Sequence, residues 1–446
     1  MLQKTFCPLM IWGAVLEFLD LLPSAKQACP LEAEGQSKDV ELESVLVSVT
    51  WCRKWEATLN FWNGRLTSLW YRAVGVSHSA DTAVRCKFSP ALALQRKFDF
   101  YKFLQRSYVP FARMASAGEA VRSVVLTGYG GYECLKVKPW PMRVLGAGDV
   151  QVAVAVCGMN FADLYTRQGL IRALQPPFVL GLECAGEVTA VGGSVEHLRV
   201  GDRVLCYQYT GDLYREHVVV PASNCFVLPS CMSYEDGAAL AANYLTAYFC
   251  VLDIGHMRAG QSILISSCAG GVGWAATQLA RSVGPVTIFG TCSAGKHDAV
   301  QENGVTYPLN HDSYDKELLK QSPDGVDIII DNMAGSAFSK NQCLLKPLGR
   351  IVLIGANSIM TGSQKLNMWS FLRMWWNTKS VSATNLMQNR VVAGLHLGLV
   401  MERQPDRIEA AMKHLFQLYE EGKIKPQIDS IWPLDKVNFH LHVLCA

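Results

Sequence analysis

The chain has no Cys-x-x-Cys pair anywhere in its 446 residues, although it carries 15 cysteines. They are scattered from Cys7 to Cys445, odd in number and without pattern. This argues against a disulfide framework and reads as reduced thiols in the cytosol. Between Gly201-Asp202-Arg203-Val204 and Pro221 only Cys206 occurs, so a closely spaced four-cysteine zinc site is missing as well. Charge of one sign is also scarce. The formal net charge is +3, and no basic field offers a footing for nucleic acid. Internal repeats and low-complexity tracts are absent. Phe6–Leu22 is apolar and follows Lys4, in the manner of a targeting segment, but Glu17 and Asp20 interrupt it and its apolar core is too short to span a bilayer.

What is present suffices for two sizeable domains and an extra segment. From Glu32 to Phe111 no helical or strand period is sustained, and Trp51, Trp55, Trp62 and Trp70 lie dispersed without turn punctuation. Met114-Ala115-Ser116-Ala117-Gly118-Glu119 looks like an ordinary polar N-terminus. Residues 1–113 are therefore expected to form a poorly ordered extension ahead of a natural start at Met114.

The rest of the chain is organised around Ser262–Arg281. Ser262-Ile263-Leu264-Ile265 has strand length and is apolar. A small-residue turn follows, and then an amphipathic run of helical period. Gly270 and Gly271 let the backbone approach a pyrophosphate, and Gly273 lets the helix pack closely on the strand. With Val272 these residues open a helix whose N–H groups face the phosphates. Cys268 stands where the first glycine of G-x-G-x-x-G would be, so the strict fingerprint fails. Context favours a nucleotide site nonetheless: a second strand, Val286–Thr291, follows at βαβ spacing, and Val326–Ile330 and Arg350–Ile354 continue the alternation.

The end of the second strand points to the cofactor. NAD enzymes place an acid there for the ribose 2′-OH. From Val286 to Lys296 no acid occurs; Thr291, Ser293 and Lys296 stand there instead. Hydroxyls and a cation suit a 2′-phosphate, so NADP is expected. A solvated lysine at a helix start is the plainer reading of Lys296.

Ahead of this unit lies a cluster of short strands: Val121–Thr127 turning at Gly128-Tyr129-Gly130-Gly131 into Leu135–Val137, then Asp149–Val156, Gly186–Val191, Arg203–Tyr207 and Glu216–Val220. They predict a barrel-like β domain. Tyr234–Ile254 reads as a helical stretch joining the two domains and Pro405–Tyr419 as a long amphipathic helix. Ile424–Pro426 and Ile428–Trp432 read as closing strands.

These motifs carry a resemblance. Gly-Leu-Glu-Cys-Ala-Gly at 181–186, Gly-Asp-Arg-Val at 201–204, Asn-Tyr-Leu-Thr-Ala-Tyr at 243–248 and Ala-Gly-Gly-Val-Gly at 269–273 follow a β-rich domain in the order of the medium-chain dehydrogenase/reductase family. Within that family the chain resembles the zinc-independent quinone-oxidoreductase branch. Ile424–Pro433 and Gly394-Leu395-His396-Leu397-Gly398 are most similar to its vesicle amine transport group. The resemblance runs from about Val121 to Val437. It covers none of the first 113 residues, and Asn438–Ala446 replaces the family's last helix and strand. The implied fold is α/β: a GroES-like β-barrel catalytic domain plus a Rossmann nucleotide domain with a doubly wound parallel sheet. Expected boundaries are 119–245 with 385–446 for the first and 246–384 for the second.

The resemblance also implies a site. Zinc members place a cysteine and a histidine where this chain has Asn160 and Leu182, so no metal is expected. Asn160 and Tyr165 would polarise the acceptor oxygen, although Tyr165 could simply pack on the barrel. Asp163 is a second acid of that loop, equally suited to capping. Asn243, Tyr244 and Thr246 match the family's cofactor-contacting turn, His311 stands where relatives often cover the adenine, and Asp331-Asn332 would line the ribose crevice. Met368–Trp376 has three readings: core helix or oligomer contact, substrate lid, and membrane-docking patch.

The implied function is hydride transfer from NADPH to a quinone or enone, a small-molecule substrate, by a cytoplasmic enzyme. Homodimer formation and peripheral association with a membrane stay open. The rival is a membrane-associated adaptor or lipid-handling protein of vesicles or the mitochondrial outer membrane that keeps nucleotide binding without useful turnover. A third reading is that the extension and altered end prevent folding.

Overall fold

The structure is a computed structural model. It describes residues 118–437 apart from 171–174, 360–372, 375–376, 379–384 and 386. Expectations for residues 1–113, for most of Met368–Trp376 and for Asn438–Ala446 lie outside the described residues.

Alternating apolar residues build the first domain. β1 (Ala120–Leu126) and β2 (Leu135–Pro141) form the expected antiparallel hairpin, with Leu126 opposite Leu135. β3 (Asp149–Gly158) leads through a loop into helix α1 (Phe161–Gln168), which ends at Gly169 in the left-handed conformation. β4 (Phe178–Val179) joins the free side of β1. β5 (Glu183–Val191), β6 (Arg203–Tyr207), β7 (His217–Pro221) and β8 (Cys225–Val227) complete an antiparallel sheet of order β7-β3-β5-β6-β8. The period-2 pattern of β3 turns Val150 and Val152 into a core shared with Val188, Val204, Val218 and Val220. Cys157, Cys184, Cys206 and Cys225 face one another in register across β3, β5, β6 and β8. All four are free thiols, and burial pushes Cys157 up to about 12.

Helix α2 (Tyr234–Tyr248) continues into a π-helical turn, Phe249–Ile254. Ser233 caps it by accepting the Asp236 N–H at 3.0 Å. The stretch Tyr234–Ile254 is long and apolar enough to cross a membrane by length and composition, but more than half of it is buried in the core. That core runs from Leu182, Ala185 and Leu205 of the barrel through α2 to Ile263 and Ile265 of the second domain.

The second domain alternates strand and helix: β9 (Ser262–Ile265), α3 (Gly271–Ser282), β10 (Thr287–Thr291), α4 (His297–Asn303), β11 (Tyr307–Leu309), α5 (Tyr314–Gln321), β12 (Val326–Asp331), α6 (Gly335–Gln342) and β13 (Leu345–Leu353). With β14 (Val391–Gly394) the strands make one parallel sheet of order β11-β10-β9-β12-β13-β14. The order reverses between β9 and β12, the switch point at which open sheets of this kind bind ligands.

Two expectations need correction. The barrel domain does not resume at 385, because β14 pairs parallel with β13, Ile351 opposite Val392, and so completes the nucleotide sheet. Ile424–Pro426 and Ile428–Trp432 form no strand, and among the described residues no ladder includes them; Ile431 and Trp432 are exposed. Their alternation of apolar residues mimicked a strand, and among the described strands no edge takes it up. Two helices, α7 (Leu397–Arg403) and α8 (Pro405–Glu420), intervene, and α8 packs Ile408, Met412 and Leu415 into the core against α2.

Candidate nucleotide and acceptor site

The turn between β9 and α3 lies at the switch point. Ser267 has φ +55°, a left-handed conformation uncommon for a residue with a side chain, and is held there because its N–H donates to Thr291 Oγ1 at 3.0 Å. Gly270, Gly271 and Val272 open α3, with Gly270 and Gly271 exposed. Gly273 is buried: a Cβ there would run into the Ser267 carbonyl and lie 2.6 Å from Cys268 Cα. A Cβ at Gly271 would come within 2.6 Å of the Asn243 amide, which therefore sits over the turn. The glycines thus add no side chain of their own where a pyrophosphate needs backbone N–H groups, and with the Asn243 amide above them the turn fits a dinucleotide.

Cys268, at the missing first glycine, turns its fully buried thiol into the sheet against Gly290, away from the turn's exposed rim. Beyond the end of β10, Ser293 and Lys296 are both exposed. Thr291 is not available with them, because it is buried and its hydroxyl braces Ser267. His311 is exposed, two residues past the end of β11. Asn332 follows β12, half-buried, with Oδ1 3.5 Å from Ser267 Oγ. Its neighbour Asp331 does not line the crevice: it is fully buried and accepts from the Met333 and Ala334 N–H groups and from Asn341 Nδ2.

Asn243 and Thr246 lie on one helix, α2, and not in a turn. The Thr246 hydroxyl donates to the Ala242 carbonyl at 2.7 Å, so towards a ligand it can only accept. Tyr244 points elsewhere; it is buried and donates to Gln278 of α3 at 2.7 Å.

On the barrel side Asn160 is the N-cap of α1 and is buried. Asp163, one turn on, accepts the Asn160 N–H at 2.9 Å and the Tyr214 hydroxyl at 2.8 Å. Burial pushes Asp163 up to about 6, against the pull of those hydrogen bonds. The Asn160 Nδ2 donates to Glu183 Oε1 at 2.7 Å. Tyr165, in the next turn of α1, reaches the loop after β13: its hydroxyl donates to Asn357 Oδ1 and accepts the Ala356 N–H at 3.1 Å. The structure therefore brings Tyr165 onto the nucleotide domain. Glu183 and Asn357 carry this geometry, and sequence reasoning missed both. The available signal for Glu183 was its place in Gly-Leu-Glu-Cys-Ala-Gly at 181–186, directly after Leu182.

The residues do not fit a catalytic zinc. Leu182 has no donor atom, and the Asn160 amide nitrogen is engaged with Glu183. Among the described residues no group of three His, Cys, Asp or Glu side chains could hold a metal.

Comparisons with known proteins agree with this architecture. Residues 146–230 match a family model described as alcohol dehydrogenase GroES-like domain, and residues 271–404 match one described as zinc-binding dehydrogenase. The chain is 45% identical over 323 residues to the synaptic vesicle membrane protein VAT-1 homolog of Rattus norvegicus, covering 71% of this chain and 79% of that protein. It is 31% identical to the quinone oxidoreductase-like protein 2 homolog of Nematostella vectensis, over 66% of this chain and 78% of the relative. Among solved structures, the human VAT-1 homolog-like protein superposes with a TM-score of 0.64 at 32% identity, covering 74% of this chain and 95% of the other.

Proposed function

Because the chain belongs to the medium-chain dehydrogenase/reductase family, in its quinone-oxidoreductase-like branch, we propose that it is an NADPH-dependent oxidoreductase that reduces quinone or enone acceptors without zinc. The observation that carries the cofactor choice is the end of β10, where Ser293 and Lys296 are exposed and no acid lies between Val286 and Lys296. An NAD ribose would find no carboxylate there, whereas a 2′-phosphate finds a cation and a hydroxyl.

Bound NADPH would supply the hydride; the remaining tasks fall to this chain. Gly270–Gly273 and the α3 N-terminus would hold the pyrophosphate, with Asn332 and His311 along the ribose and adenine side. Thr246 offers a lone pair to a carboxamide N–H, and Asn243 closes over the turn. Asn160 has a second amide N–H to donate to the oxygen that gains charge as the acceptor is reduced. Tyr165 can donate to that oxygen only by exchanging its bond to Asn357. Water delivers the proton.

The test is fluorescence titration with NADPH and NADH in parallel, followed by NADPH consumption with an ortho-quinone. Equal affinity for the two cofactors would remove the cofactor assignment. A second reading, a membrane-associated adaptor that keeps nucleotide binding, draws on the relatives' printed name, synaptic vesicle membrane protein. Co-sedimentation with lipid vesicles, in a protein that binds NADPH and turns nothing over, would favour it.

A further inference from the structure

Glu183 is a fully buried acid that the reading above leaves without a task. It opens β5, and its two oxygens serve two different elements. Oε1 accepts from Asn160 Nδ2 at 2.7 Å, at the start of α1. Oε2 accepts the Ala242 N–H at 2.7 Å, one residue before Asn243 in α2. Room for the carboxylate comes from Gly158 at the end of β3, where a Cβ would run into Oε1 and lie 2.5 Å from the Ala238 carbonyl. Strand, capping loop and cofactor-side helix therefore converge on one side chain.

The chemistry of the pair decides what this does. An amide can present either its oxygen or its nitrogen to the cleft. An ionised carboxylate only accepts, so it selects the nitrogen of Asn160 and fixes the flip; the second N–H and Oδ1 then have set directions. We propose that Glu183 is the positioning residue of the acceptor site: its carboxylate orients the Asn160 amide and registers the capping loop against the helix that carries Asn243 and Thr246. The inference rests on the reading above, in which Asn160 meets the acceptor oxygen.

Burial pushes Glu183 up to about 7, opposed by the Ala242 N–H and the Asn160 amide and aided by the Asp163 charge. The other titratable groups that feel its charge are Cys157 on β3, its neighbour Cys184 on β5, Tyr207 across the ladder on β6, and Tyr214 beside Asp163. Among the described residues no cation is one of the groups that act on it. The orienting bond is thus complete above neutrality, and protonation weakens it as the pH falls.

The experiment uses the full chain with two independent readouts. In protein labelled with 15N-asparagine, the Asn160 side-chain amide, identified by its loss in Asn160→Ala, is expected to shift with a midpoint of about 7. Glu183→Gln should remove that titration. In turnover with an ortho-quinone at pH 8, Glu183→Gln is expected to lower kcat by about a hundredfold while KM for NADPH stays unchanged, because the reacting group is misplaced and the cofactor is not. The same substitution in the Asn160→Ala background should cost little more.

An equal loss in both backgrounds, or an Asn160 resonance that ignores both pH and Glu183→Gln, overturns the proposal. If the wild-type protein reduces no acceptor, the oxidoreductase reading fails, and the amide resonance alone still decides whether Glu183 orients Asn160. If Glu183→Gln does not fold, the wild-type titration decides.

Discussion

Gly290 and Cys268 form a steric pair, and exchanging their side chains should show it. Gly290 lies in β10, and a Cβ there would sit 2.5 Å from Cys268 Sγ, 2.8 Å from Cys268 Cβ and 3.0 Å from Val305 Cγ1. Cys268 has little freedom to retreat: it is fully buried and its N–H is bound to the Thr291 carbonyl at 2.9 Å. Gly290→Ala should therefore cost roughly 1–3 kcal/mol by overpacking, lowering the melting point by a few degrees. Cys268→Gly restores the fingerprint glycine but empties a buried site, at about 2 kcal/mol for lost packing and added backbone freedom. Combined, the new methyl enters the space the thiol left, and at least about 1 kcal/mol of the summed losses should be recovered. Thermal and urea unfolding of the four proteins measure this cycle. NADPH affinity should not move, because the thiol points into the sheet. Additive losses, or a harmless Gly290→Ala, would refute the account of how this turn dispenses with its first glycine.

Lys296→Glu should weaken NADPH binding on the order of tenfold, less at high salt, and leave NADH nearly unaffected; side-by-side titration checks it. Chelator treatment should change neither melting point nor turnover, since Leu182 and Asn160 cannot hold zinc; loss of stoichiometric zinc together with activity would contradict this. The raised carboxyls of Asp163 and Glu183 have a definite sign: folded values of about 6 and about 7 mean that the native state binds their protons more tightly than the unfolded chain. Their contribution is complete below pH 4 and lost as pH rises towards 7, so the stability of Glu183→Gln relative to wild type should improve between pH 5 and pH 8 by roughly 3 kcal/mol at most, read from urea midpoints. As a hydrogen-bond donor to the acceptor oxygen, Tyr165 predicts that Tyr165→Phe lowers kcat and Asn357→Ala does not; equal losses from both, without further loss in the double variant, would leave it as a domain clasp only.

Much of the architecture was legible because local pattern and tertiary demand coincide. Val150–Val156 alternates in sequence and becomes a half-buried strand. Ile263–Ile265 is apolar throughout, and with Ser262 it becomes a central parallel strand buried on both faces. β14 escaped because four residues, Val391–Gly394, give no period, and what fixes them as a strand is the open edge of β13. In the site, the glycine turn could be read only from its context, an apolar strand before it and an amphipathic helix and second strand after it, because Cys268 breaks the fingerprint. Glu183 and Asn357 could not, since their partners lie 23 and 192 residues away in the chain and only the packed domains bring them together.

Those long-range partners share a property that bears on the chemistry. Glu183 ties the Asn160 loop to α2, and Tyr165 ties α1 to the loop after β13. A third tie has the same form. Tyr209, just past β6, bonds His396 Nε2 at 2.9 Å, while His396 Nδ1 accepts the Leu399 N–H at 3.1 Å at the start of α7. A ring nitrogen that accepts a backbone N–H carries no proton, so the neutral ring keeps its proton on Nε2 and donates to Tyr209. All three ties join the barrel to α2 or to the nucleotide domain through polar groups, beside a shared apolar core. Apolar packing is non-directional and tolerates small slides, whereas a charge-assisted hydrogen bond at 2.7 Å does not. The core therefore holds the domains together, and the polar ties set the register of the Asn160 loop against α2 and of α1 against the loop after β13. A substitution in the core is expected to act first on stability, and one in the ties first on the relative rates with different acceptors.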